Sequence, residues 1–447
     1  MNLRSLPAFI AAFVLCATAT AQQPETTVQQ LLTRLTSQNE PNVQRLHQVR
    51  LFYSCNQHKL AWMDKDGLWQ QLLYYISQAP LLGIETGYAA APGIKMAADT
   101  PLVTLTDTVT ADILLTDAAI CFFEEVLYGT HAPALSYNGL NYTADCFSVP
   151  LLLATAVASK QFSGFLQQYE NATQPYKAVK AKLAELLQSR DTAAAGQMRQ
   201  LAETLNTLRW LHCLQQQYPA LVVVNIASAN LLLFNKDSVI MESRVIVGKK
   251  STPTPLFTAC LSDVVLYPYW TVPHSIATRE LLPMIKLNRQ ILKTGNFEIL
   301  DKRGKTVAPA SIDWQKLNAA NFPYTLRQST GCDNALGVIK LNFYTPFGVY
   351  LHDTPWKMLF RLNKRFGSHG CIRVEHLLPI VYQALPDKTS LIDSILSEGE
   401  ARHPQPVTLP VPQSLPIVVI NNTAWVDSAW HVQFFTDPYR KQLPGNK

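Results

Sequence analysis

The 447-residue sequence predicts an α+β chain of more than one domain, with helices over 22–215 and a β-rich region over 216–447. Three observations carry this. Apolar residues recur at helical spacing through the first half. From Tyr218-Pro219 onward, β-branched runs take over. A long polar stretch, 274–325, then interrupts those runs and predicts an insertion. Hydrophobic residues make up 48% and charged residues 16%, which fits folded domains rather than disorder. The formal charge of +6 is a weak excess at this length, and the basic runs of a nucleic-acid binder are missing.

The chain begins with Arg4, the apolar run "AFIAAFVLCATA" and then Ala19-Thr20-Ala21. That order is the pattern of a secretory signal peptide over 1–21, too short to span a bilayer as a mature helix. A lipid-anchored reading makes Cys16 the acylated residue, but Leu15 stands where a small residue belongs. After cleavage no membrane span is expected.

"TVQQLLTRL" is the first helical candidate, and "DILLTDAAICFFEEVLYG" follows with Gly129 as its C-cap. Between them "YAAAPGIKMAADTPLV" reads as loop. In "PYKAVKAKLAELLQSR" Tyr176, Val179, Leu183, Leu186 and Leu187 form one stripe, with Pro175 at the first turn. Leu201, Leu205, Leu208 and Leu211 repeat the stripe in the next helix. These helices read as packing elements, without a cluster suited to chemistry.

Strand character appears in "ALVVVNIASANLLLF", "SVIMESRVIVG" and "DVVLYPYWTVP". The insertion reads as a helix plus an irregular excursion. Strands resume with "GVIKLNF", "GVYLH" and "CIRVEH", and a short helix follows from Leu377. A Pro-rich connector, "RHPQPVTLPVPQSLP", leads to a final hairpin in "IVVINNTAWVDSAWHVQFF", so 401–447 reads as connector and hairpin. Eight cysteines are present, seven of them after residue 21, so one thiol at least has no partner within the mature chain. No CxxC pair occurs, which argues against zinc, and the spacing leaves the pairing open.

The segment "GVYLHDTPWKMLFRLNKRFGSHGCIRVEH", Gly348–His376, concentrates the candidates for chemistry. A cysteine nucleophile needs a base or cation, an approach path and N–H donors for an oxyanion. Gly370 leaves room beside Cys371, and the N–H groups of Gly370 and Cys371 are candidate donors. In a strand, Arg373 shares the face of Cys371 and His369 points the other way. His352 ends the "GVYLH" strand, beside Cys371 if the two strands pair. Spacing alone does not exclude a buried, inert thiol.

"HDTP" at 352–355 and "SHGCIR" at 368–373 resemble the signature of the L,D-transpeptidases with a YkuD-type catalytic domain. The blocks "VIVGKKSTPTPLF", "YPYWTVPHSIATRELLPMI" and "DNALGVIKLNF" are similar to the large periplasmic subgroup, and "ILLTDAAICFFEEVLYG" resembles its helical scaffold. The resemblance implies a scaffold domain over 22–215 and a β-sandwich-like catalytic domain over 216–447, capped by a lid at 274–325. It implies acyl transfer on peptidoglycan stem peptides in the periplasm, with no cofactor and no metal, cell-wall synthases as partners and carbapenems as inhibitors. Cys371 is then the nucleophile, His352 the general base, and Gly370 with Cys371 the oxyanion donors. Arg373 supports the site, Ser368 and His369 line it, and Tyr350 stands close by. Water or a protein amine as acceptor, giving a carboxypeptidase or a protein-attaching enzyme, stays open, as does a catalytically silent wall-binding protein. A small wall-binding module found in several large members has no room here between the last two helices, and Cys332 in "STGCDNALG" departs from the family pattern.

Overall fold

A computed structural model describes residues 24–34, 43–63, 68–84, 91–99, 101–141, 146–189, 194–331 and 333–440. The signal segment 1–21 and Cys332 lie outside the described residues. Helices α1 (Pro24–Arg34), α2 (Leu46–Cys55), α3 (Leu68–Ser77), α4 (Pro92–Asp99) and α5 (Leu105–Tyr128) come first. Strand β1 (Tyr137–Asn138) follows, then α6 (Val149–Ala158), α7 (Phe165–Tyr169), α8 (Gln174–Ser189) and α9 (Ala195–Gln217). None of these helices is long and apolar enough to cross a membrane.

Packing divides the described chain into two compact units. The first is drawn from Met1–Ile76, Gly87–Phe122 and Val149–Phe165 and is helical. Its α4 corrects the loop reading. The helix is too short for a visible stripe, yet Ile94 is buried and Gly93 lies so close to α5 that a Cβ would come 2.4 Å from the Leu114 carbonyl carbon. The buried carboxylate of Asp112 is structural here: it accepts the Ala61, Trp62 and Met63 N–H groups and the Tyr53 hydroxyl.

The second unit comprises Ser77–Thr86, Phe123–Ser148 and Leu166–Lys447, so α8 and α9 pack with the β-rich region. Strands β2 (Ala220–Asn225), β3 (Asn230–Asn235), β4 (Ser238–Gly248) and β5 (Phe257–Leu266) open it. β6 (Trp270–Thr271) stands just before the insertion, β7 (Phe297–Leu300) lies within it and β8 (Thr325–Gln328) leads out of it. Then come β9 (Ile339–Phe343), β10 (Leu351–His352), β11 (Phe366–Ser368) and β12 (Ile372–Val374). The main sheet runs β5-β14-β2-β3-β4-β12-β10-β9, where β14 is Pro416–Ile420, and β9 pairs back to β5. The path closes on itself as a barrel, which removes the free edges an open sandwich would expose.

Alternation divides the strand residues between two surroundings. Val222, Leu231, Val245, Leu341, Leu351, Ile372 and Val374 fill the interior with Ile380 and Ile392. The last two come from α13 (Leu378–Ala384) and α14 (Thr389–Glu398). On β2, β3 and β14 the outer residues Val223, Leu232 and Val418 pack beneath Leu183, Leu201, Leu205 and Leu208 of α8 and α9. Burial on both faces explains why these strands read as unbroken apolar runs. Outward residues of β9, β10 and β12 are of another kind: Lys340, His352 and Arg373.

The insertion is more ordered than a helix plus excursion. It contains α10 (His274–Ile276), a π-helical turn at Ala277–Leu281, α11 (Leu282–Leu287) and α12 (Gln290–Thr294), and its β7 joins the flanking strands in the sheet β6-β8-β7. It has its own core around Leu282, Ile285, Ile299, Trp314 and Leu326. Four-residue strands show too little alternation to be read in advance. The C-terminal reading also changes. "TLP" of the Pro-rich connector lies in β13 (Val407–Pro410), paired with β5, and "IVVI" is β14, between β5 and β2. Only β15 (Ala424–Val426) and β16 (Val432–Phe434) form the hairpin. A disulfide joins Cys146 to Cys213 of α9 across 67 residues.

Candidate active site

β10 and β12 pair in parallel with Leu351 opposite Ile372 and His352 opposite Arg373. Ile372 N–H donates to the Tyr350 carbonyl at 3.0 Å, which carries the register back to Tyr350 and Cys371. Residues opposite one another share a face, and so do residues two apart on one strand. Tyr350, His352, Cys371 and Arg373 therefore point to one side, while Leu351, Ile372 and Val374 fill the barrel. On β9, paired antiparallel to β10, Lys340 is opposite His352 and joins the same face.

Cys371 is opposite Tyr350 and diagonal to His352. The Tyr350 backbone and hydroxyl both hydrogen-bond the thiol and favour its ionised form. Burial outweighs those bonds and the nearby Lys340 and Arg373, and pushes the Cys371 thiol up. His352 is 4% exposed, and its Nδ1 lies 2.5 Å from the Asp353 carbonyl. That contact assigns the proton to Nδ1 and leaves Nε2 as the acceptor. Burial, helped by the Arg373 and Lys340 charges, lowers its pKa to about 3. No hydrogen bond joins His352 to Cys371 among the described residues. The His352 ring meets the Tyr350 ring edge-on, 5.6 Å between centroids.

The turn before β12 is held from below. Ser368 Oγ donates to the Cys371 carbonyl at 2.5 Å, and Thr254 Oγ1 donates to the Gly370 carbonyl at 2.9 Å. Gly370 has φ +112°, so a side chain is excluded by backbone conformation although space around it is open. Its N–H donates to Ser368 Oγ at 3.2 Å, so an oxyanion there competes with the serine, whereas the Cys371 N–H has no acceptor among the described hydrogen bonds. His369 turns away from the thiol and binds Glu280 of the insertion at 2.6 Å.

Arg373 is half-buried, its Nε atom is enclosed without a partner, and its guanidinium carbon lies 5.4 Å from the Trp356 ring centroid. Two side chains escaped the sequence reading. Lys340 Nζ stands 4.2 Å from the Tyr350 ring centroid, and Trp270, just before the insertion, hydrogen-bonds the Tyr350 hydroxyl. The signal for Lys340 was present: "IKLNF" alternates, and its polar residues face away from the core. Trp270 lies 80 residues before Tyr350 and carries no local signal. Among the described residues no group of three or more His, Cys, Asp or Glu is placed to hold a metal ion.

Comparison with known proteins adds an independent line. Residues 219–392 match the model of the YkuD L,D-transpeptidase catalytic domain, and residues 47–183 match a scaffold-domain model. A Haemophilus influenzae protein named "Putative L,D-transpeptidase" is 35% identical over 210 residues, which is 46% of this chain and 42% of that protein. The chain thus spans under half the length of this relative. Among solved structures, an L,D-transpeptidase from Mycobacterium smegmatis is 16% identical and covers 45% of this chain and 58% of its own, with TM-score 0.19. L,D-transpeptidase 1 from Mycobacterium tuberculosis is 16% identical and covers 45% and 60%, with TM-score 0.18.

Proposed function

Residues 219–392 belong to the YkuD L,D-transpeptidase catalytic-domain family, and from that premise we propose that this chain crosslinks peptidoglycan stem peptides through a Cys371 thioester. The observation that carries the proposal is the in-register pairing of β10 and β12, which gathers Tyr350, His352, Cys371 and Arg373 on one face.

Cys371 Sγ attacks the carbonyl of the L-centre of diaminopimelate in a donor tetrapeptide. Its proton passes to His352 Nε2, whose lone pair is unoccupied once Nδ1 donates to Asp353. The tetrahedral oxyanion is met by the N–H groups of Cys371 and Gly370, the second released from Ser368. The C–N bond to D-alanine breaks, His352 returns the proton to the leaving amine, and a thioester remains. The side-chain amine of a second diaminopimelate then attacks, His352 takes its proton, and the thiol leaves and is reprotonated. A guanidinium Nε enclosed without a partner is costly unless an anion completes the group. Arg373 and Lys340, which flank His352 from the strands on either side, suit a substrate carboxylate. The leader at 1–21 supports export to the periplasm, where this substrate lies.

Incubation of the exported chain with purified disaccharide-tetrapeptide, followed by mass spectrometry, tests the reading. Crosslinked dimers with release of D-alanine are expected, as is a carbapenem adduct on Cys371. Tripeptide monomers alone would assign water as the acceptor. No adduct on Cys371, or turnover retained by Cys371→Ala, removes the nucleophile assignment.

A further inference from the structure

A groove of about 1950 Å³ opens on the second unit, where the start of α9, the β2–β3 turn, residues 363–366 and the C-terminal segment come together. Five cations line it: Arg199, Lys250, Lys364, Arg365 and Arg440. Asp437 is its one acid, and that carboxylate is already taken by Asn421 Nδ2 and the Tyr439 N–H. Arg365 builds the floor. Its Nη2 holds the Ser228 and Ala229 carbonyls and Asn230 Oδ1 at 3.0–3.2 Å, while its buried Nε has no partner. Lys250 Nζ is bonded to the Arg440 carbonyl. The side chains of Arg199, Lys364 and Arg440 are exposed, and none is in an ion pair among the described residues.

Size, charge and position select the ligand. Sites for small molecules hold roughly 300–1,000 Å³, so this volume suits a segment of a polymer. Half-buried rings of Phe366 and Phe434 lie beside amides such as Gln197 and Asn363, a mixture that stacks and hydrogen-bonds sugars. The unmatched positive charge calls for carboxylates along the same polymer. Phe366 begins β11, whose Ser368 supports the Cys371 carbonyl, and Lys249, next to Lys250, lies 3.4 Å from His369. One wall of the groove thus continues into the turn that carries the thiol.

We propose that this groove binds a peptidoglycan strand, sugar rings on the phenylalanines and stem-peptide carboxylates on the cations, outside the catalytic face. This rests on the peptidoglycan reading above. Such a site lets the enzyme hold polymeric wall while one stem reaches Cys371.

The test is co-sedimentation of the full exported chain, carrying Cys371→Ala to stop turnover, with purified sacculi. Adding Arg199→Glu and Lys364→Glu is expected to weaken retention by about tenfold or more, and added salt should weaken the unmodified groove in the same direction. In the chain with Cys371 intact, the same two changes should leave acylation by soluble tetrapeptide within about twofold, a difference of under 0.5 kcal/mol. Equal retention of both proteins, while the soluble peptide still acylates Cys371, overturns the groove and leaves the function standing. Failure of the soluble peptide to acylate the parent chain overturns the function itself. Binding to phosphatidylglycerol vesicles but not to sacculi, lost in the double variant, makes the groove a membrane site and also overturns the proposal.

Discussion

Acidification should destabilise the β-rich unit through one side chain, His352. The ring is buried, and its pKa falls from 6.5 to about 3. A base whose folded pKa is depressed stays neutral in the folded chain while the unfolded chain takes up a proton. Stability is therefore present above the unfolded value and lost as pH falls from about 6.5 towards 3. Between pH 7 and pH 5 the proton-binding factor of the unfolded side chain, one plus its protonated-to-neutral ratio, rises about 25-fold, which is about 2 kcal/mol. His352→Gln removes that contribution. Urea unfolding at both pH values, followed by hydrogen exchange of the strands around His352, should show the parent losing about 2 kcal/mol more than the variant. The imidazole resonance of His352 should not titrate in this range. Equal losses in the two proteins, or a titration midpoint near 6.5, would refute the reasoning.

Tyr350→Phe removes a hydroxyl that hydrogen-bonds Cys371 and favours the thiolate. The thiol should then ionise at still higher pH, and acylation should slow about tenfold, as loss of a bond to a charged group implies; an unchanged pH profile of Cys371 alkylation would remove Tyr350 from the site. The Cys146–Cys213 disulfide closes a loop of 67 residues, and loop entropy gives it about 4 kcal/mol. Replacing both cysteines by serine should lower the urea midpoint of the second unit, with carbapenem acylation of Cys371 retained at low temperature; an unmoved midpoint would mean the crosslink constrains little.

The parts of the molecule that could be read in advance are those whose signal is local. Leu201 to Leu211 repeat at helical spacing and lie on the buried side of α9. The alternation of "CIRVEH" put Cys371 and Arg373 on one face before any pairing was known. Pairing partners are different, because nothing local encodes which strand lies beside which. The opposition of Tyr350 to Cys371, and of Lys340 to His352, needs the register of three strands. The same holds for "IVVI", which looks like a hairpin arm and sits in the barrel wall between β5 and β2 because both its faces find apolar cover. Pro92-Gly93 reads as a turn, yet Pro fits the first helical turn and Gly permits close approach to α5.

Burial moves the Cys371 thiol and the His352 imidazole in opposite directions, and each shift disfavours charge. Thiol and imidazole both rest neutral near pH 7, so the site does not hold a preformed thiolate–imidazolium pair. The fixed charges on this face are Arg373 and Lys340, both positive and both partly desolvated. A neutral thiol in this setting is slow to react with water-borne reagents, because charge must first be created at a largely enclosed sulfur. An anionic ligand changes that balance. It pairs the cations, which relieves part of their pressure against protonating His352, while the Tyr350 hydroxyl still donates to the thiolate as it forms. Under the proposed function, the cations that would hold a carboxylate and the pair that would exchange the proton are thus electrostatically coupled across three paired strands.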